Sequence, residues 1–123
     1  MVSESEDFIW VIADQRDSSH IPVTNEKVAK GIKFRFIMQQ DFAKLVEVDQ
    51  EFEHLKERRY LECISVGTLI NEKKAFVALR GINGTMDWSG FFSTDEKFRK
   101  WCEDLFTYYW DRAERWYPEI LIK

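Results

Sequence analysis

Two apolar segments, Phe8–Ala13 and Ile32–Met38, constrain this chain more than any other feature. The first is unbroken in its apolarity, rich in β-branched and aromatic types, and stops at Asp14-Gln15. Such a run predicts a strand covered on both faces. The second alternates, with Ile32, Phe34, Phe36 and Met38 on one side and Lys33 and Arg35 on the other. Between them, Arg16 to Pro22 reads as a polar loop, and Thr24 as the cap of a short helix running to Lys30 with Gly31 as its left-handed stop. Strand, helix, strand in that order is a parallel crossover, so the fold class is α/β.

A longer helix is predicted from Asp41 to about Arg59, with Leu45, Val48, Phe52 and Leu55 as its stripe, Phe42 and Val46 widening it, and Glu47, Asp49, Glu51, Glu53 and Glu57 on a solvated acidic face. Leu61 to Val66 reads as a third strand. A short strand from Gly67, a turn at residues 71–74 and a strand at Ala75–Leu79 add an antiparallel hairpin to the parallel pair, giving a mixed sheet. Gly81, Gly84 and Gly90 break up the next stretch, with Phe91-Phe92 as a short edge strand. Thr94-Asp95-Glu96 then starts a long aromatic C-terminal helix, predicted from Asp95 to about Trp116 and ended by Pro118. Phe98, Trp101, Cys102, Leu105, Tyr109 and Trp116 form its stripe, with Phe106 and Ala113 beside it. Tyr108 and Trp110 fall on the flanks, where they would edge a cleft or meet a second subunit. No repeat or linker divides the chain, which reads as one domain over residues 1–123.

Ten Phe, five Trp and four Tyr in 123 residues are more aromatic surface than a core this size readily hides, which points to a groove or a partner interface. A net charge of −4 argues against direct contact with nucleic acid, whose affinity comes largely from lysines and arginines at phosphates. Cys63 and Cys102 are far apart and outside any CxxC pair, as expected of reduced thiols in a cytoplasmic protein. No apolar stretch is long enough to cross a bilayer.

Reactive constellations are missing from the pattern. His20 and His54 have no partner at metal-ligand spacing, so no metal and no cofactor is implied. Cys63 in an apolar strand and Cys102 on the helix stripe read as small core residues. Ser18-Ser19-His20 is adjacency only, and Gly81 to Gly84 lacks the spacing and the Lys of a phosphate loop. The remaining candidate is a ligand pocket. Asp14 and Gln15 follow the first strand at its carboxyl end, where open parallel sheets bind ligands. Arg35, and Asp87 with Trp88 from the glycine-broken loop, would add polar anchors and an aromatic wall. The plainer alternative is that Asp14 caps a turn and Trp88 fills a gap.

Three stretches carry a family likeness. Phe8 to Gln15 resembles the opening strand, and Gly31 to Ile37 the second strand, of regulatory domains attached to winged-helix DNA-binding domains in archaeal transcription regulators. Asn83 to Gly90, Ser93 to Asp95 and Trp101 to Ala113 resemble their close, most specifically in the Trp-x3-Leu-Phe-x2-Tyr-Trp run. The likeness is to the methanogenesis-regulator type of sensor domain. It implies one half of a phospholipase D-like fold, whose active members carry His-x-Lys-x4-Asp. With Asn71 at the Asp position, Ile64 and Val66 stand where His and Lys belong, so the resemblance implies a degenerate site. The expectation is a non-catalytic, effector-sensing and dimerising domain of a transcription regulator. Asp14, Gln15, Arg35, Asp87 and Trp88 would bind a small-molecule effector, and Tyr108, Trp110 and Trp116 would form a homodimer interface. A divergent phosphodiesterase or hydrolase and a purely structural dimerisation domain are the alternatives.

Overall fold

The computed structural model describes residues 5–13, 21–43, 55–81 and 86–116. In chain order the elements are β1 (Phe8–Ala13), α1 (Ile21–Ala29), β2 (Lys33–Gln39), the single turn α2 (Gln40–Ala43), β3 (Lys56–Leu61), β4 (Val66–Asn71), β5 (Ala75–Arg80), β6 (Met86–Ser93), α3 (Glu96–Arg112) and the two-residue β7 (Glu114–Arg115). Among the described residues seven strands form one mixed sheet in the order β6-β5-β4-β1-β2-β3-β7. β1, β2 and β3 run parallel, and every other pairing is antiparallel.

The central place of β1 follows from its composition, since only a strand flanked and covered on both sides buries so unbroken an apolar run. Alternation sends Phe8, Trp10 and Ile12 to one face and Ile9, Val11 and Ala13 to the other. On the first face, Ile12, Ile37, Ile70 and Val77 pack against Cys102, Phe106 and Trp110 of α3. On the second, Ile9, Phe34, Phe36 and Met38 pack with Val28 of α1. The described elements therefore form three layers, helix on sheet on helix.

The crossover forms as the pattern predicts. Gly31 has φ +96°, a conformation that a side chain disfavours, and its N–H closes α1 on the Val28 carbonyl at 3.1 Å. The start of α1 differs from expectation. The helix begins at Ile21, and Thr24 lies buried within it. Pro22 occupies the first turn, where its missing N–H costs nothing, so a residue read as a loop marker belongs to the helix.

The larger correction concerns residues 41–59. The helix predicted there is confined to α2 among the described residues, and Lys56–Leu61 is a strand parallel to β2. Its apolar face is built from cations. Lys56 Nζ lies 5.9 Å from the Phe34 ring centre, and the Arg58 guanidinium 6.0 Å from Phe36 and 5.7 Å from Trp116. Aliphatic stems do the covering and the charged ends rest on ring faces, so the segment has a period of two with no hydrophobic signal. The stripe residues Leu45, Val48 and Phe52, like His20, His54, Asp14 and Gln15, lie outside the described residues.

The third predicted strand is displaced likewise. Residues 62–65 are irregular, and β4 starts at Val66. The turn after β4 stands where expected: the Asn71 side-chain oxygen accepts the N–H groups of Lys73 at 2.8 Å and Lys74 at 2.7 Å. Val66 and Asn71 thus close opposite ends of one strand, about 17 Å apart at 3.4 Å per residue. Ile64, Val66 and Asn71 are all buried and do not converge on a site.

The last helix starts on Asp95, whose carboxylate accepts the Phe98 N–H at 3.1 Å, and it stops at Arg112, short of Trp116 and well before Pro118. Ala113 is extended (φ −79°, ψ 149°), while Arg59 donates to the Trp110 carbonyl at 2.7 Å, placing a cation on the helix C-terminus. β7 then pairs with β3, and the Trp116 N–H reaches the Arg58 carbonyl at 3.2 Å. Competition from the sheet edge ends the helix. It also delivers Trp116 to the second core instead of the helix stripe.

Candidate functional site

The sheet extends further than α3 does. The helix packs over β1, β4 and β5, leaving β6 beyond its edge. The outer strand also bends there: Val77 pairs with Phe91 and Leu79 with Asp87, so β6 carries two extra residues opposite Ala78. Gly90 sits in this bulge, and a Cβ on it would lie 2.9 Å from Ala78 Cα and closer still to the Val77 carbonyl oxygen. Only glycine lets β6 approach β5 here.

Between this bent edge and α3 runs a groove of about 440 Å³. Its floor is Val66, Val77, Leu79 and Phe91, and its helical wall is Phe98, Trp101, Leu105 and Tyr109. Phe98 and Trp101 stack with centroids 6.2 Å apart. Leu79 is 54% exposed, Phe91 63% and Trp101 54%, so the outer lip stands open to water. Two hydroxyls supply polarity at one end, Ser65 Oγ and Tyr109 Oη, 3.5 Å apart.

Among the described residues the lining holds no carboxylate, amine, imidazole or thiol. It can enclose an apolar body and hydrogen-bond it through the two hydroxyls. Among the described residues no cluster of three or more His, Cys, Asp or Glu could hold a metal ion, and no helix is long and apolar enough to cross a membrane. Cys102 faces the core beneath the groove, where burial pushes its thiol pKa up to about 11, with Glu103 adding to the rise. In the folded protein, Cys63 is expected to react with a maleimide while Cys102 stays protected until urea exposes it. Between pH 9 and about 11 the unfolded chain sheds this proton and the folded chain keeps it, so stability falls as pH rises. Urea midpoints across that window are expected to fall less steeply for Cys102→Ala than for the native chain.

The residues singled out from the sequence are dispersed. Asp14 and Gln15 are outside the described residues. Arg35 is engaged: its guanidinium lies 5.4 Å from the Trp10 ring centre, 5.1 Å from that of Trp110 and 3.6 Å from a Glu57 carboxylate oxygen. Asp87 and Trp88 are in β6 and not in a loop, with Asp87 exposed opposite Leu79. β6 and β2 are four strand spacings apart, about 19 Å, so Arg35 and Asp87 do not share a pocket. At the carboxyl end of β2 stands a different group: Arg80 donates to the Gln39 side-chain oxygen at 3.1 Å and from Nε to the Ile64 carbonyl at 3.1 Å. Tyr108 is exposed on α3 with Arg112 over its ring at 3.6 Å. Trp110 and Trp116, expected at a subunit interface, are 6% and 5% exposed and belong to the two cores.

Sequence reasoning joined Phe98, Trp101, Leu105 and Tyr109 to Cys102 on one stripe. The structure separates them: Cys102 lies on the core side with Phe106 and with Trp110, which was expected on a flank, and the other four line the groove. Ser65, Leu79 and the groove role of Phe91 carried no signal of their own.

The family model for the middle domain of the methanogenesis regulatory protein FilR1 matches residues 2–112. The chain belongs to that family. Among solved structures, TrmBL2, an archaeal chromatin protein whose structure is described as showing a novel mode of DNA binding, superposes with a TM-score of 0.77 at 16% identity. The match covers 94% of this chain and 47% of TrmBL2, so the FilR1-type domain spans about half the length of that protein and shares its fold. No curated protein matches in sequence.

Proposed function

We propose that this FilR1-type domain is the effector-sensing and dimerising part of a transcription regulator, working by recognition and not by catalysis. The observation that carries the reading is the groove beside α3: large enough for a small ligand, apolar along its length and hydroxyl-bearing at one end. An occupant of the groove touches β5, β6 and α3 together. The far end of α3 is tied through Ala113 and β7 to β3, so a shift of the helix reaches the opposite edge of the sheet. Such a ligand acts on the regulator to the extent that it prefers one helix position over another.

DNA contact is assigned to other parts of a longer protein. The net charge of −4 disfavours phosphates here, and TrmBL2, the relative described as binding DNA, is about twice as long. The test is a thermal-shift screen against sugars, phosphates, nucleotides and apolar carboxylic acids. A ligand of the groove is expected to raise the melting temperature by about 10 °C at a hundredfold excess over its Kd, and Leu105→Lys is expected to abolish the shift. Silence across the panel contradicts sensing and leaves a purely structural dimerisation domain. Turnover of a generic phosphodiester contradicts the non-catalytic reading.

A further inference from the structure

The two edges of the sheet are built differently. β7 is two residues long and fully charged, Glu114 and Arg115, a form that discourages pairing with other chains. β6 is eight residues long; beyond the bulge at Gly90 its end, Phe91 to Ser93, is uncharged and in regular register with β5, and it presents Phe91 on the groove face and Phe92, with Lys74 Nζ 5.8 Å from its ring centre, on the other, both more than half exposed. We propose that β6 pairs antiparallel with β6 of a second copy, about a two-fold axis perpendicular to the sheet. This rests on the dimerising part of the function proposed above and names the surface.

Symmetry decides what such a pairing does to the groove. A perpendicular two-fold keeps both α3 helices on the same face of the joined sheet, so the two open lips meet across the axis. Phe91 and Trp101 of each copy then close the groove of the other, and two half-open grooves become one enclosed chamber. The ligand site is incomplete in a single chain. The area supports the pairing: Phe91, Phe92 and Trp101 together leave roughly 340 Å² exposed, taking about 200 Å² for each large aromatic. A standard interface buries about 800 Å² per partner, of which about 56–58% is apolar, or roughly 450 Å², so the three rings supply most of the apolar part.

Sedimentation equilibrium over a dilution series tests the pairing. The native chain is expected to be a dimer. Phe91→Lys on the edge strand and Trp101→Glu on the helix, which leaves the sheet untouched, are each expected to raise the dimer dissociation constant about thirtyfold or more, with native circular dichroism and a urea midpoint that no longer rises with protein concentration as that of the native chain does. A native chain that stays monomeric, or a dimer that survives both substitutions, overturns the proposal. So does a dimer lost in Tyr108→Glu and kept in Phe91→Lys, which moves the contact to the outer face of α3. A monomer that still gives a thermal shift fails the pairing and spares the sensing role; a β6 dimer silent to every ligand does the reverse.

Discussion

Phe106→Ala is expected to lower the unfolding free energy by about 3–5 kcal/mol, the range for removing a fully buried aromatic. Phe106 is wholly inaccessible and stacks between Trp10, centroids 5.0 Å apart, and Trp110, centroids 5.7 Å apart. The three rings fasten α3 to the central strand. The adjoining guanidiniums of Arg35 and Arg59 lie 5.1 Å and 4.4 Å from the Trp110 ring centre and close the outer end of the stack. Deleting the middle ring leaves a cavity that two large neighbours cannot collapse into without losing their cationic partners. Urea unfolding followed by tryptophan fluorescence measures the loss. Phe106→Leu, which restores most of the volume, is expected to recover about half of it. A loss below about 1 kcal/mol for the alanine variant would mean that α3 is not seated as described.

Gly90→Val is expected to cost about 2–4 kcal/mol by a different route. Its Cβ meets the backbone of β5 and not the movable end of a side chain, with Ala78 Cα at 2.9 Å. No rotamer relieves that contact, so β6 must separate from β5 around the bulge. The groove floor then loses Phe91, whereas the core beneath α3 keeps its contacts. The variant is therefore expected to unfold at lower urea while retaining the near-ultraviolet signature of the Trp10–Phe106–Trp110 stack. Loss of that signature together with β6 would show that the outer strand supports the core more than its position implies.

Much of this architecture could be read from period and composition. The unbroken run at Phe8–Ala13, the alternation at Ile32–Met38, the Gly31 stop and the Asn71 turn each have one local physical cause, and each appears where the pattern puts it. β3 was illegible because lysine and arginine stems replace hydrophobes as its covering groups, while its formal charge mimics a solvated helix. The end of α3 was missed because the determinant is an arginine on a distant strand and a two-residue pairing, neither visible within the helix. The candidate site was the least legible part. α3 is apolar around more than half its circumference, and which part packs and which lines a groove depends on how far the sheet extends beyond it. Arg35, a pocket candidate from the sequence, has its guanidinium beside two indole rings and Glu57, contacts that no local pattern announces.

The claim that recognition takes place in the groove beside α3 is tested most directly by amide chemical-shift mapping with whichever compound stabilises the protein. The account predicts perturbations confined to residues around Ser65, Leu79, Phe91, Trp101 and Tyr109, and absent at Arg35 and Gln39. Perturbations centred on the carboxyl ends of β1 and β2, with the groove residues unmoved, would contradict it.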